Sequence, residues 1–259
     1  MNYEYFAGLY IDAPTPKADG EGHGFARDYA AHFELEDCYI DLSKFPPHSF
    51  DETVAFTCGA SATLRRCVIV GGGKHILIGS GDAAKRQEEE GNTVTFSECV
   101  FMDFSRRGPE VQSGMTCILD GCLIANWGVP GRFHERAFAA WAHHGGRIYA
   151  QDTIFMQDKL WHGLPLALQD LGNHIGTAFN YRKLRGLIDP STWIPGVLRG
   201  LVATDGGLVT AKNCGRSHRA IHVDTLTAAE TMARDEYIER RNALLGMKHQ
   251  LYKELCPVA

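Results

Sequence analysis

The sequence predicts an all-β fold, a parallel β-helix with long loops and a C-terminal α-helix, and three observations carry that expectation. Five segments repeat: FELEDCYID (33–41), ATLRRCVIV (62–70), VTFSECVFM (94–102), CILDGCLIA (117–125) and IYAQDTIFM (148–156). Short runs of Val, Ile, Thr and Phe alternate with turn residues, and the chain holds 28 glycines, which favours many strands and many turns. The stretch 225–255 then changes its apolar period from that of a strand to that of a helix.

Each repeated segment reads as a few alternating residues, two polar residues, one small residue and an apolar pair. The small residues are Cys38, Cys67, Cys99, Cys122 and Thr153, at spacings of 29, 32, 23 and 31. Units of that length with short strands and no helix stack as coils, at the strand spacing of about 4.8 Å. Equivalent side chains then form ladders. The four cysteines are expected as an inward ladder at a bend, where small buried thiols pack well. LVTAKNCGR (208–216) is a candidate sixth segment, and the uneven spacing reads as insertions in one connecting loop.

Residues 157–205, with Trp161, His162, Trp193 and several Gly and Pro, read as long loops of the kind that shape sites. TLTAAETMARDEYIERRNALLGMKHQLYKEL (225–255) reads as a helix. Thr227 with Glu230 fits a capping box, and Leu244, Met247, Leu251 and Leu255 recur at helical spacing. This helix is expected to cover an open end of the β-helix or to pack along its side. Residues 1–259 are expected to form one domain, with the β-helix and its loops over 20–222 and the helical segment over 223–259.

The net charge of −5 argues against general nucleic-acid binding. No apolar run approaches the ~18 residues that a membrane span needs. The start, MNYEYFAGLYIDAPTP, has neither a basic n-region nor a long apolar h-region, so no signal peptide is expected. The protein is expected in the cytoplasm or as an already processed secreted form. The eight cysteines contain no C-x-x-C pair and no zinc spacing. They read as reduced structural thiols and not as a disulfide framework.

The cysteine ladder also measures position. Lys74 lies seven residues after Cys67, and Arg107 eight after Cys99, so both are expected over one edge of the solenoid, about one coil apart. Counting backwards, Asp51 lies 16 residues before Cys67, Glu21 and His23 lie 17 and 15 before Cys38, and Asp82 lies 17 before Cys99. These counts put acidic groups along one side of a groove, with Lys74 and Arg107 on the other. In SRRGPEVQSG (105–114), Gly108 and Pro109 end a strand. Arg106 and Arg107 therefore stand at a solvated turn, and strand alternation sends one of them to the opposite face. The same alternation argues against a metal shared by His143 and His144 of WAHHGG (141–146).

KHILIGSGD (74–82), VTFSECVFMDFSRRGPEVQSG (94–114) and ANWG (125–128), in that order and at that separation, resemble the pectate lyases, the first polysaccharide lyase family. The resemblance spans residues 20–156. It implies a right-handed parallel β-helix that cleaves an acidic, uronate-containing polysaccharide such as pectate by β-elimination, with calcium. On the matching positions, Arg107 is the catalytic base that takes the C5 proton. Lys74 contacts the substrate carboxylate, and Asp51 is a calcium-binding acid. EGH aligns with a paired acidic element of the family and adds Glu21 and His23, and Asp82 joins the metal set by count. Arg106, Gln112, Trp161 and His162 make up the expected substrate-binding set. Two positions depart from the family: Gln112 stands where it has a second arginine, and Ala55 where it has an acid four residues after Asp51. Calcium is accordingly expected to bind more weakly than in relatives, because affinity tracks ligand charge.

The residue types suit the chemistry. A proton next to a carboxylate is weakly acidic, because its removal adds charge to an anion. Cationic groups neutralise that carboxylate and stabilise the enolate-like state. Arginine accepts a proton only where desolvation and a positive neighbourhood favour its neutral form; Arg106, Lys74 and a metal are the groups available to supply one. Two other readings stay open. One is a non-catalytic β-helix that binds carbohydrate or serves as an adhesin or structural part. The other is a hydrolase, which needs a carboxylate pair such as Asp51 and Asp82.

Overall fold

A computed structural model of the protein describes residues 2–11, 22–46, 49–81, 86–127, 139–156, 201–203, 205–217 and 233–256. Among them, twenty strands numbered β1 to β20 along the chain form three parallel sheets. The first sheet holds β1 (Asn2–Ala7), β4 (Ala31–Glu36), β7 (Ser61–Arg65), β10 (Thr93–Ser97), β13 (Thr116–Asp120), β16 (Arg147–Gln151) and β19 (Leu208–Lys212). The second holds β2 (Tyr10–Ile11), β5 (Tyr39–Asp41), β8 (Val68–Val70), β11 (Val100–Met102), β14 (Leu123–Ala125), β17 (Ile154–Met156) and β20 (Gly215–Ser217). The third holds β3 (His23–Arg27), β6 (Glu52–Phe56), β9 (Ile76–Ile78), β12 (Glu110–Val111), β15 (Ala140–Ala142) and β18 (Leu201–Ala203). Every strand pairs with the strand three places on, so each coil contributes one strand to each sheet and the molecule is a β-solenoid.

The bend from the first sheet to the second explains the repeat. One residue turns left-handed there in coil after coil: Asp37 (φ 56°), Arg66 (50°), Glu98 (55°), Gly121 (60°), Asp152 (49°) and Asn213 (52°). A left-handed non-glycine residue costs about 1–2 kcal/mol. The stacking offsets that cost, because the N–H of each of the first five bonds the next coil, as Asp37 does to the Arg65 carbonyl (3.0 Å) and Arg66 to Ser97 (3.0 Å). The marker residue follows and turns inward. Cys67 Sγ donates to the Leu35 carbonyl (3.5 Å), Cys99 to Leu64 (3.4 Å), Cys122 to Phe96 (3.4 Å), and Thr153 Oγ1 to Leu119 (3.2 Å). Cys214 continues the column toward Ala150 (3.7 Å), so the sixth segment belongs to the series. Burial pushes the Cys99 and Cys117 thiols up. All eight cysteines are free thiols.

Strands of the first sheet alternate buried and partly exposed positions, as a sheet with one wet face must. In the second sheet, β5, β8, β11, β14 and β17 are buried throughout. Their middle residues, such as Ile69, Phe101 and Ile124, face the solenoid core. Their flanking residues, such as Val68, Val100 and Met102, face a helix. That helix, α2 (Arg234–Leu255), follows the short α1 (Arg86–Glu89) in chain order. It lies along the side of the solenoid with Tyr237, Leu244 and Leu251 buried. Arg241 donates to the Asp37 carbonyl (2.5 Å) and Lys248 to the Gly121 carbonyl (3.0 Å), which ties the helix to the left-handed column. Within the described residues the helix begins at Arg234, where Glu236 accepts from the Ala233 N–H (2.7 Å), while Thr227 and Glu230 lie outside them.

Candidate active site

The third sheet carries the charged residues. Its inward positions, among them Phe25, Val54, Ile76, Ile78 and Val111, join the core. Three glycines, 71 to 73, precede Lys74. Gly72 has φ 91°, and a Cβ there would lie 2.2 Å from Thr53 Oγ1. Glycine thus lets this segment approach β6 closely, and the Thr53 N–H donates to the Lys74 carbonyl (3.0 Å). On the next coil, Lys74 bridges Arg106 in parallel register. Arg107 stands one place further with φ 63°, a left-handed residue that interrupts strand alternation and re-aims its side chain.

A column of alternating acids and bases crosses the coils here. His23 on β3 pairs in register with Glu52 on β6, with His23 Nδ1 3.3 Å from Glu52 Oε2. Arg107 bridges two carboxylates, with Nη1 2.5 Å from Glu52 Oε1 and Nε 2.5 Å from Glu110 Oε2. Glu110 Oε1 accepts from His143 Nε2 at 2.9 Å, and the His143 ring stacks on Trp141 with centroids 4.0 Å apart. Beside the column, Lys74 donates to Asp51. Burial divides the set. The side chains of Glu52 and Glu110 are 1% and 4% exposed and that of Arg107 16%, whereas Asp51 and Lys74 are 33% and 23% exposed. Burial pushes the Glu110 carboxyl up, but the His143 hydrogen bond and the Arg107 charge outweigh it and hold the group below the usual carboxylate range. Asp51 is likewise held down, its partial burial outweighed by Lys74.

The structure brings together Lys74, Arg106, Arg107, Asp51 and His23 from the expected set. Three expectations change. Arg107 is not at a solvated turn; it is clamped between two buried acids. Acids and bases do not form two banks of a groove; they interleave as ion pairs. The direct stacking partner of Lys74 is Arg106, which is buried, and not Arg107. Gln112 is buried and its Nε2 donates to the Gly79 carbonyl (2.9 Å), so its amide serves the neighbouring coil. His143 and His144 serve different partners, Glu110 and Asp205. Glu21, Asp82, Trp161 and His162 lie outside the described residues. Sequence reasoning missed Glu52 and Glu110, and weighed His143 only as a metal ligand. The available signals were an acid directly after Asp51 and an acid three residues after Arg107.

No protein-family model matches the chain, and no curated protein matches it in sequence. Its fold is similar to that of solved pectate lyases. The thermostable pectate lyase PL 47 aligns with a TM-score of 0.50 at 15% identity, over 86% of this chain and 52% of that one. A pectate lyase from Bacillus sp. N165, in complex with trigalacturonate, aligns with a TM-score of 0.44 at 12% identity, over 92% of this chain and 74% of that one. The chain spans about half the length of the first. At these identities the likeness is one of fold.

Proposed function

We propose that the protein is a polysaccharide lyase that cleaves an acidic, uronate-containing polysaccharide by β-elimination. The observation that carries this reading is the meeting of Lys74, Arg106 and Arg107 on adjacent coils of the third sheet, at positions that resemble the pectate lyase motifs. A uronate carboxylate has the same charge and shape as the carboxylates these cations already hold. Binding would exchange Asp51 on Lys74 for the sugar carboxylate and draw Arg107 from Glu52 and Glu110. Cations on the sugar carboxylate lower the cost of removing the C5 proton. The C5–H electrons then form the C4–C5 double bond, and the C4–O bond to the neighbouring sugar breaks. The role of base, which the resemblance gives to Arg107, demands that its two carboxylates turn away first, because both favour the cation.

Calcium suits this set poorly. Among the described residues, Asp51 is engaged by Lys74 and Glu52 by Arg107, and the third donor is an imidazole nitrogen. A hard cation that takes six to eight oxygens finds little here.

The test is absorbance of the unsaturated uronate product on polygalacturonate. Wild type is expected to release it, and both Lys74→Met and Arg107→Lys to lose at least about 100-fold in rate, since lysine lacks the fork and reach of guanidinium. If wild type forms no unsaturated product from any uronate polymer while still binding one, the non-catalytic carbohydrate-binding reading replaces this one.

A further inference from the structure

We propose that His23, Asp51 and Glu52 form a site for a borderline divalent transition cation of the zinc class, in place of a calcium site. One donor atom from each of the three lies within 4.8 Å of the others. The decisive feature is Glu52 Oε2. The Glu52 side chain is 1% exposed, its Oε1 holds Arg107, and its Oε2 is buried with no hydrogen-bond partner. That oxygen faces His23 Nδ1 at 3.3 Å. The Glu52 backbone N–H lies against the same Nδ1, also at 3.3 Å, which holds the imidazole edge beside the carboxylate. A buried carboxylate oxygen without a hydrogen-bond donor is costly, and a cation shared with the imidazole would satisfy Glu52 Oε2.

Both the separation and the donor types indicate which cation. An N···O distance of 3.3 Å is the edge of a tetrahedron whose metal–ligand bonds are about 2.1 Å, as zinc makes them. Imidazole with carboxylates suits zinc and its first-row neighbours, whereas calcium takes oxygens only and in greater number. Asp51 supplies the third ligand from the solvent side, where a fourth position stays open to water or a ligand, as in zinc sites with three protein donors. Arg107 keeps Glu52 Oε1 while the ion takes Oε2. Lys74 and the ion compete for Asp51, so loading the site releases Lys74. The proposal rests on these ligands alone and does not depend on the lyase reading.

The test uses the full chain and reads metal binding, not activity. Wild type is titrated with Co2+, whose visible bands report its coordination, then with Zn2+ in competition, and with Ca2+ by calorimetry. Wild type is expected to bind Co2+ in a low-coordinate site, to exchange it for Zn2+, and to bind Ca2+ far more weakly. His23→Ala and Glu52→Gln should each weaken Zn2+ binding at least about tenfold. Lys74→Met should tighten it. His23→Asp should exchange Co2+ binding for Ca2+ binding. Because Glu52→Gln also disturbs Arg107, the partly exposed His23 variants, with melting temperature as control, keep the outcome readable. Tighter binding of Ca2+ than of Zn2+ by wild type, no binding of either, or Zn2+ affinity unchanged in His23→Ala would each overturn the proposal.

Discussion

The outer faces of the second and third sheets both bury side chains, by opposite means. On the second sheet, Val68, Val100, Met102 and Ile154 lie beneath Tyr237, Leu244 and Leu251 of α2. On the third, Glu52, Arg107, Glu110 and His143 form a chain in which acid and base alternate. Apolar contacts are non-directional and spread over many atoms, so loss of one is local. An ionic column has no such slack. Removing one member leaves its neighbours buried and charged, and the penalty is their desolvation. The two faces should therefore respond differently to the same kind of damage.

The largest effect is expected for Arg107→Met, which strands Glu52 and Glu110 together. It should lower stability by about 3–5 kcal/mol in urea unfolding, and Arg107→Lys by less. A wild-type midpoint for Arg107→Met would mean that the column is not an energetic unit. On the other face, Leu244→Ala should cost about 2–3 kcal/mol, low in the usual range because a helix on the outside can settle onto the sheet. A larger loss than that of Arg107→Met would reverse the comparison.

The smallest effect separates the faces by pH. Glu110 and Asp51 are held below their ordinary values in the folded protein. A depressed folded value contributes stability that is full above the unfolded value, roughly pH 4–5, and is lost as pH falls through the folded one. Wild type should thus weaken on acidification below that range, and Glu110→Gln should weaken less steeply. The cost of Leu244→Ala should stay constant over the same range, since no titrating group is involved. A pH-dependent cost there would show that the helix face is coupled to the charged one.

The fold was legible because it is written many times. Cys38, Cys67, Cys99, Cys122 and Thr153 mark the same bend on successive coils, and the residue before each marker turns left-handed. A second series went unread. Cys58–Gly59, Ser113–Gly114, His144–Gly145 and Asp205–Gly206 are pairs of positive-φ residues that turn the chain from the third sheet to the first. Their glycines were visible, but their partners share no residue type, so no repeated letter exposed them. The site was legible only in part. Lys74, Arg107, Asp51 and His23 were found by counting from the ladder, and counting assumes that each coil has the same length up to the site. In register the count leads from Lys74 to Arg106, and the left-handed turn at Arg107 then carries the second guanidinium to Glu52.

By itself, then, the sequence determined the stacked coils, the inward thiol ladder and the presence of a C-terminal helix. Each of these is a local period, and every repeat states it again. Only the tertiary structure decided which charges meet. Arg107 and Glu52 are 55 residues apart in the chain, His143 and Glu110 33, and Lys74 and Asp51 23. Their encounter depends on the register of coils separated by insertions of unequal length. The physical reason is that burial by apolar contact needs only the right kind of residue on the right face, whereas an ion pair needs two particular atoms within hydrogen-bonding reach, a condition fixed only when the coils are stacked.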